Sequence, residues 1–251
     1  MLVHGLGGNW RSWRPILDGL AAEREVIAID LPGHGDSVRL PGTATFAALT
    51  DATSAFLREH GLANADLVGS SMGARLVLEL ARRGVGGSVV SLDPGGFWSG
   101  AERVYFGVTL GLSIRLVRLL QPVMPLLTRS AIGRTALFAQ LSAKPWRVPP
   151  GVALEEMQSY ARTGVFDELL SDLARGPGQE GMPSESARTR ITIAWGRSDR
   201  VCPPGQAARA MSRFPDAELH WFEGCGHFPQ WDAAAETISL ILSRTGSGTR
   251  Q

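Results

Sequence analysis

The sequence has few cysteines, with only Cys202 and Cys225 among its 251 residues. Two cysteines are too few for the disulfide framework that stabilises small secreted domains. They also lack the spacing of a structural zinc site, and we predict neither a bound metal nor a cofactor. We interpret them as two reduced thiols that pack behind the candidate site described below.

Lysine is nearly absent, since Lys144 is its one occurrence and arginine carries the remaining basic charge. The formal net charge is +1, so the overall charge gives no indication of binding to nucleic acid or to an anionic membrane. The most apolar run, residues 104–127, contains Arg115, Arg118 and two prolines, whereas a membrane span needs about 20 apolar residues with few charges. No secretory signal is visible at the start of the sequence. We expect a cytoplasmic protein without a membrane span.

Short apolar runs alternate with longer segments of helical periodicity. Runs bounded by Gly, Asp or Pro predict strands at residues 2–3, 26–29, 67–68, 89–92, 191–195 and 219–222. Segments with helical spacing or helix-boundary residues predict helices at residues 43–60, 72–83, 204–214 and 230–244. The alternation is typical of an α/β fold with a mostly parallel, doubly wound sheet and helices on both faces.

This alternation is interrupted between residues 97 and 187. The interrupted part has helical patches and several prolines and glycines, but no clear strand. We predict a helical lid at residues 97–187, inserted into an α/β core that comprises residues 1–96 and 188–251.

The segment GSSMG at residues 69–73 joins a predicted strand to a predicted helix. A nucleophile at such a strained turn needs small residues two positions before and after it. Centring the turn on Ser71 places Gly69 and Gly73 at those positions, whereas centring it on Ser70 would place bulky residues there. The spacing therefore favours Ser71 as a nucleophile, although a loop with a capping serine has the same short pattern.

A serine nucleophile needs a general base, and His227 has the most suitable context among the five histidines. It lies in a glycine-rich loop, residues 223–229, directly after the last predicted strand. Asp199 follows the preceding strand and lies between Ser71 and His227 in the sequence. Where the serine occupies such a turn, the order serine, acid, histidine along the chain is expected. Asp93, at the end of the fourth predicted strand, is the alternative acid, or else a turn-forming aspartate before proline.

Two backbone amides are expected to face the oxyanion that forms when a serine attacks a carbonyl group. The amide of Met72 lies at the N-terminus of a predicted helix, where the helix dipole favours negative charge. The segment HGLGG at residues 4–8 ends the first strand, and its glycines allow the backbone to approach a substrate closely. We assign the second amide to Leu6 and expect a structural role for His4.

Together, these segments resemble the α/β-hydrolase superfamily, in its lidded serine esterase-like branch. The resemblance rests on five motifs in order: HG at residues 4–5 with Trp13 downstream, DLPGHGDS at 30–37, GSSMG at 69–73, WGRSD at 195–199 and GCGHFP at 224–229. It covers the predicted core and not the insertion. It implies a catalytic triad and an oxyanion hole formed by Ser71, Asp199, His227, Leu6 and Met72.

The sequence departs from this family in two places. Ser70 stands where many relatives have histidine, which changes the polarity beside the nucleophile. In the family, two strands and a hairpin usually precede the segment that begins here at Met1. Without them the strand at residues 26–29 would be an exposed apolar edge, which is an aggregation hazard. Our hypothesis is that an upstream segment is missing or that another chain covers this edge, and we leave the oligomeric state open.

The resemblance implies acyl transfer through an acyl-enzyme, with a carboxylic ester of a small apolar acyl group as the first candidate substrate. C–C bond hydrolases, thioesterases and acyltransferases use the same triad, and a ligand-binding protein with little turnover is an alternative of another class. We assign Ser70, Trp98 and Phe228 to substrate contacts. Other aromatic residues of the insertion suggest an apolar pocket, although most of them are expected to pack the lid onto the core.

Overall fold

The computed structural model describes residues 1–183 and 189–246, and it contains one six-stranded sheet. The strands are β1 (Leu2–Val3), β2 (Ala28–Ile29), β3 (Leu67–Ser70), β4 (Val89–Leu92), β5 (Ile191–Gly196) and β6 (Glu218–Phe222). Their order across the sheet is β2-β1-β3-β4-β5-β6, and every neighbouring pair is parallel. The predicted α/β fold with a mainly parallel sheet is therefore confirmed.

Helices occupy most of the chain between the strands. In chain order they are α1 (Arg14–Ala21), α2 (Phe46–Glu59), α3 (Met72–Arg82), α4 (Gly100–Leu119), α5 (Met124–Arg129), α6 (Ala131–Phe138), α7 (Pro150–Arg162), α8 (Phe166–Arg175), α9 (Gln206–Arg213), α10 (Pro229–Asp232) and α11 (Ala234–Arg244). Short 3₁₀ helices are present at Trp10–Trp13, Gln121–Val123 and Pro145–Arg147.

Successive strand residues belong to two separate hydrophobic cores, one on each face of the sheet. Val3 and Leu67 are buried in the core that contains α2 and α3. Leu2 and Val68 are buried in the core that contains α1 and α11. This follows from the pleat, because neighbouring strand side chains point to opposite faces. With both faces covered, the functional groups of such a sheet lie at the carboxyl ends of its strands.

The segment between β4 and β5 contains α4 to α8, and its described residues form no strand. α4 begins with a capping box, in which the Glu102 amide donates to Ser99 Oγ and the Ser99 amide donates to the Glu102 carboxylate. α4 packs against α7 and α8. Helices thus occupy the segment where the sequence predicts a lid, while its predicted boundary at residues 187 and 188 lies outside the described residues.

No single helix within the described ranges is long and apolar enough to cross a membrane. α4 and the following segment Gln121–Arg129 meet the criteria of length and composition only when taken together, and a bend of 61° separates them.

Three elements differ from the sequence-based expectation. α1 was not predicted, because its eight residues are too few for a periodic pattern to stand out. The helix predicted at residues 230–244 is divided into α10 and α11, because Ala233 has φ −143° and ψ 54°. The strand predicted at residues 26–29 is reduced to Ala28–Ile29, which lies at the edge of the sheet with β1 as its one partner among the described strands.

Candidate active site

Ser71 lies at the sharp turn between β3 and α3, with φ 58° and ψ −115°. A positive φ is costly for a residue other than glycine, so the surrounding structure must hold this turn in place. The Ser71 amide donates a hydrogen bond of 2.9 Å to the carbonyl oxygen of Leu92. A Cβ atom at Gly69 would collide with the backbone of Gly73, and one at Gly73 would collide with the backbone of Val3. Glycine is therefore required at both positions.

Three of the predicted side chains form one hydrogen-bonded array. His227 Nε2 lies 2.8 Å from Ser71 Oγ, and His227 Nδ1 lies 2.9 Å from Asp199 Oδ2. Asp199 Oδ1 accepts hydrogen bonds from the amides of Val201 and Cys202, at 2.8 and 3.0 Å. These amides orient the carboxylate, which can hold the imidazole with its proton on Nδ1 and a lone pair on Nε2 directed at the hydroxyl group.

Asp93, the alternative acid, is fully buried at the end of β4. Its Oδ1 accepts a 2.8 Å hydrogen bond from the amide of Gly196, and its φ is 51°. Burial, followed by the charge of the neighbouring Asp199, raises the pKa of Asp93 well above its ordinary value. Because His227 Nδ1 bonds to Asp199, the geometry favours Asp199 as the acid partner.

The two predicted oxyanion donors, Leu6 and Met72, both lie next to Ser71. Met72 is the first residue of α3, and Leu6 lines the same cavity as Ser71. A Cβ atom at Gly5 would lie only 3.0 Å from Ser71 Cβ, so the segment before Leu6 packs tightly against the nucleophile turn. Within residues 1–183 and 189–246, neither amide has a hydrogen-bond acceptor. The first amides of a helix, such as that of Met72, have no acceptor within the helix, whereas a free loop amide such as that of Leu6 is uncommon. Both amides suit donors for a substrate oxygen.

His4 holds the backbone rather than contacting the array. Its Nε2 accepts a 3.0 Å hydrogen bond from the amide of Leu31, and its Nδ1 lies 2.7 Å from the carbonyl oxygen of Gly5. Burial lowers the pKa of His4 to about 4. The ring is therefore neutral, with Nδ1 as donor, and matches the structural role expected for it.

Helix α7 contacts the loop at residues 4–9, which we call the oxyanion loop. Ser159 Oγ donates to the carbonyl oxygen of Gly7 at 2.7 Å. Thr163 Oγ1, at the C-cap of α7, lies 3.2 Å from the same oxygen and 2.9 Å from the carbonyl oxygen of Ser159. Asn9 Nδ2 in turn donates to Ser159 Oγ at 2.9 Å. The sequence did not single out either hydroxyl residue, because the insertion carries no recognisable motif. The one available signal was that Ser159 and Thr163 are four positions apart, a spacing that places two side chains on the same side of a helix.

A second contact joins the insertion to the loop that carries His227. The carboxylate of Asp232 accepts hydrogen bonds from the amides of Ala143 and Gly226, both at 2.7 Å. The His227 amide donates a 2.9 Å hydrogen bond to the carbonyl oxygen of Leu141. The insertion thus contacts both the oxyanion loop and the loop of the predicted base.

A mainly apolar cavity of about 90 Å³ lies beside Ser71 and His227. This is smaller than the roughly 300–1,000 Å³ of typical small-molecule sites, so the insertion packs tightly over Ser71. Within the described residues, no Arg, Lys, Asp or Glu lines the cavity. Its apolar walls include Leu6, Leu110, Ile114, Val117, Met157 and Phe228.

The three predicted substrate contacts have different positions. Phe228 lines the cavity, whereas Ser70 and Trp98 do not. Ser70 is the last residue of β3, and its buried hydroxyl group accepts a 3.2 Å hydrogen bond from Gln230 Nε2. Trp98 is buried against Phe106, with ring centroids 4.7 Å apart. Of the three, Ser70 and Trp98 thus contact other residues of the protein outside the cavity, and Phe228 lines it.

Asp199, Cys202 and His227 place possible metal ligand atoms within 4.8 Å of one another. A metal would require a deprotonated thiol, whereas burial, followed by the charge of Asp199, raises the pKa of Cys202 well above its ordinary value. Asp199 and His227 also bond to each other. The cluster therefore fits a hydrogen-bonded array better than a metal centre, and Cys202 and Cys225 are both buried free thiols.

A model of the alpha/beta hydrolase family matches residues 1–240. The chain belongs to this family. It is 31% identical to the dihydrolipoyllysine-residue acetyltransferase component of the acetoin cleaving system of Cupriavidus necator, over 98% of the chain and 63% of that relative. The alpha/beta hydrolase described here thus spans less than two thirds of the length of that relative.

Two further relatives cover most of both chains. A 2-hydroxy-6-oxononadienedioate/2-hydroxy-6-oxononatrienedioate hydrolase of a Pseudomonas species is 24% identical over 97% of this chain and 86% of the relative. The structure of a thermophilic esterase from Thermogutta terrifontis superposes with a TM-score of 0.72, over 96% of this chain and 87% of the esterase, at 21% identity. The likeness to the esterase supports the fold, while the names of these relatives cover several reaction classes.

Proposed function

We propose that this alpha/beta hydrolase is a serine hydrolase that cleaves a carboxylic ester, or a related acyl bond, of a small apolar substrate. The observation that carries the proposal is the continuous hydrogen-bonded array of Asp199, His227 and Ser71. Such an array activates serine, because the imidazole accepts the hydroxyl proton and the carboxylate stabilises the resulting imidazolium.

In the proposed first step, His227 Nε2 takes the proton of Ser71 Oγ while Oγ forms a bond to the substrate carbonyl carbon. The carbonyl oxygen becomes an oxyanion and accepts hydrogen bonds from the amides of Leu6 and Met72. The tetrahedral intermediate then expels the alkoxide, which receives the proton from His227, and the acyl group stays on Ser71. A water molecule deprotonated by His227 attacks this ester, and the carboxylic acid and free Ser71 are released.

The cavity supports an uncharged acyl group as the substrate. Its described lining has no acidic or basic side chain apart from His227, so a charged group would lose its hydration without gaining an ionic partner. Aliphatic residues of α4 and the ring of Phe228 would instead bury apolar atoms. Its volume of about 90 Å³ favours short acyl chains.

Ser71→Ala tests this proposal on a short-chain p-nitrophenyl ester. Without the nucleophile, kcat should fall by about 10⁴–10⁶-fold. Ser70→Ala is the matched control, because it removes a neighbouring hydroxyl group that lies outside the cavity, and its kcat should stay close to that of the wild type. A fluorophosphonate probe should label the wild type and Ser70→Ala but not Ser71→Ala. Near-normal turnover by Ser71→Ala would refute the assignment, and folded wild type that resists labelling would favour a ligand-binding protein.

Hydrolysis of a carbon–carbon bond is the second candidate function, favoured by the name of the Pseudomonas relative. It would use the same acyl-enzyme, as would transfer of the acyl group to an alcohol or thiol. The uncharged lining of the cavity argues against a dicarboxylate substrate. A panel of esters, thioesters and β-diketones, compared by kcat/KM, separates these reactions. A β-diketone turned over faster than every ester would replace the first candidate by the second.

A further inference from the structure

Exposed large apolar side chains are concentrated on the insertion. Ten of the eleven such residues in the described ranges lie between Val104 and Trp146, and the other one is Val38. Apart from Tyr105, those on α4 recur every three or four residues and are 53% to 75% exposed, at Val104, Val108, Leu112, Leu116 and Leu119. This spacing places them along one side of the helix over about 22 Å, and we call them the apolar stripe.

The apolar stripe is not the face through which α4 packs onto the protein. Leu110, Ile114 and Val117 of the same helix line the catalytic cavity from the inside. α4 is therefore apolar on both its inner and its outer side. A helix of this kind is normally covered on all sides, either by protein or by lipid. The stripe thus marks an interaction surface.

Charge is also segregated in this part of the chain. The sequence from residue 103 to residue 154 has no acidic residue and contains seven basic ones: Arg103, Arg115, Arg118, Arg129, Arg134, Lys144 and Arg147. The other 18 basic residues and all 24 acidic residues lie elsewhere, so the near-neutral total conceals a basic segment. Arg115 lies within the stripe, is exposed, and has no ion-pair partner among the described residues.

A groove of about 550 Å³ runs between α4 and α8 beside the apolar stripe. Gly107 and Gly111 keep its floor low because they have no side chains. Arg103, Arg115 and Arg175 lie along it, and the one acidic residue that lines it, Asp167, is paired with Arg118 at 2.6 Å. Arg103 Nη1 donates to the carbonyl oxygen of Gly176, and among the described residues none of these three arginines has a carboxylate partner. Apolar surface next to such guanidinium groups suits a molecule in which a hydrocarbon part adjoins a negative charge.

We propose that the apolar stripe docks α4 on the surface of an anionic lipid bilayer. Exposed aliphatic side chains would enter the boundary between headgroups and acyl chains, while the arginines would contact lipid phosphates. A second copy of this chain is a poorer occupant. A two-fold dimer through the stripe would bring two basic segments together and place Arg115 near its own counterpart. The inner side of α4, which lines the catalytic cavity, would then lie about 10 Å from the lipid, because one helix diameter separates the two sides of α4.

Co-sedimentation of the full chain with vesicles tests this proposal. The vesicles contain either phosphatidylcholine alone or phosphatidylcholine with phosphatidylglycerol. We expect binding to the anionic vesicles, weakened at least tenfold by Leu112→Asp and about 30-fold by Arg115→Glu, which reverses one charge. Val38→Asp and Arg58→Glu are the matched controls, because they introduce the same acidic side chains at exposed sites outside the insertion. Both controls should bind as the wild type does.

Three results would overturn the proposal. First, if the folded wild-type protein stays in the supernatant when anionic vesicles are sedimented, α4 does not dock on lipid. Second, if the protein binds both kinds of vesicle equally and Arg115→Glu has no effect, the arginines do not contribute to binding through lipid phosphates. A dimer in sedimentation velocity that Leu112→Asp dissociates identifies a second copy as the occupant. Circular dichroism of each variant ensures that a loss of binding is not a loss of fold, and none of these results depends on the identity of the catalytic serine.

Discussion

The hydroxyl groups of Ser159 and Thr163 should matter for turnover, although neither residue contacts Ser71. Both lie within hydrogen-bond distance of the carbonyl oxygen of Gly7, which is one residue after Leu6 in the oxyanion loop. Ser159→Ala leaves Asn9 Nδ2 without its acceptor, while the Thr163 hydroxyl group can still donate to Gly7 in place of the Ser159 carbonyl. The double variant Ser159→Ala/Thr163→Val leaves the Gly7 oxygen without either donor. We therefore expect the double variant to release the oxyanion loop.

The magnitude follows from the number of buried groups that lose their partners. One unsatisfied buried group costs about 1–3 kcal/mol, so Ser159→Ala should lower the free energy of unfolding by about that amount and the double variant by about twice as much. Complete loss of one oxyanion donor lowers kcat by about 10²–10³-fold. Partial displacement of the Leu6 amide should cost about tenfold in Ser159→Ala and about 10²-fold in the double variant. KM should change less, because an oxyanion donor acts mainly in the transition state.

Steady-state kinetics on a short-chain ester, together with chemical denaturation, measure both effects. Gln158→Ala on the same helix is the control, since the Gln158 side chain makes no hydrogen bond within the described residues. The expected result is a normal kcat for the control and a graded loss for the other two variants. A double variant that loses stability but keeps kcat within twofold of the wild type would refute the coupling between α7 and the oxyanion loop.

Two further predictions concern buried carboxyl groups. Burial and the charge of Asp199 raise the pKa of Asp93, so ionisation of Asp93 destabilises the fold as the pH rises above the ordinary value of 3.8. Asp93→Asn should therefore raise the melting temperature at neutral pH, by about 2–4 °C for each kcal/mol gained, and a lower value in calorimetry would contradict this. Burial also raises the pKa of Glu156 from 4.5 to about 7, so the folded state binds the extra proton and stability falls across that interval. Glu156→Gln should flatten the melting temperature against pH over the same interval, whereas an unchanged slope would count against a buried acid.

The sequence predicted the parts of the fold and candidate site that depend on local pattern. The glycine spacing around Ser71 identified the turn, because no side chain fits at Gly69 or Gly73. Chain order then favoured Asp199 over Asp93, and the structure places Asp199 next to His227. In each case the physical requirement lies within a few residues of sequence or in the order of the strands.

Contacts made by the insertion could not be predicted in this way. Ser159 meets Gly7 from 152 positions away in sequence, and no local rule relates the two. Trp98 was assigned to substrate as one of the aromatic residues of the insertion, and its packing against Phe106 is a contact that the sequence does not reveal. The basic segment was missed for a related reason, because a net charge of +1 averages over a chain in which positive and negative residues are separated.

The two contacts between the insertion and the core also bear on how the chain unfolds. Gly7 and Asp232 each accept hydrogen bonds from the insertion, and both lie in or beside loops that carry candidate catalytic groups. The insertion cannot leave the sheet without breaking these bonds, so the two parts are expected to melt in a single cooperative transition. The insertion and the α/β core would then unfold together as a single peak in calorimetry. The melting of the α4–α8 helices and the loss of enzymatic activity would share one midpoint.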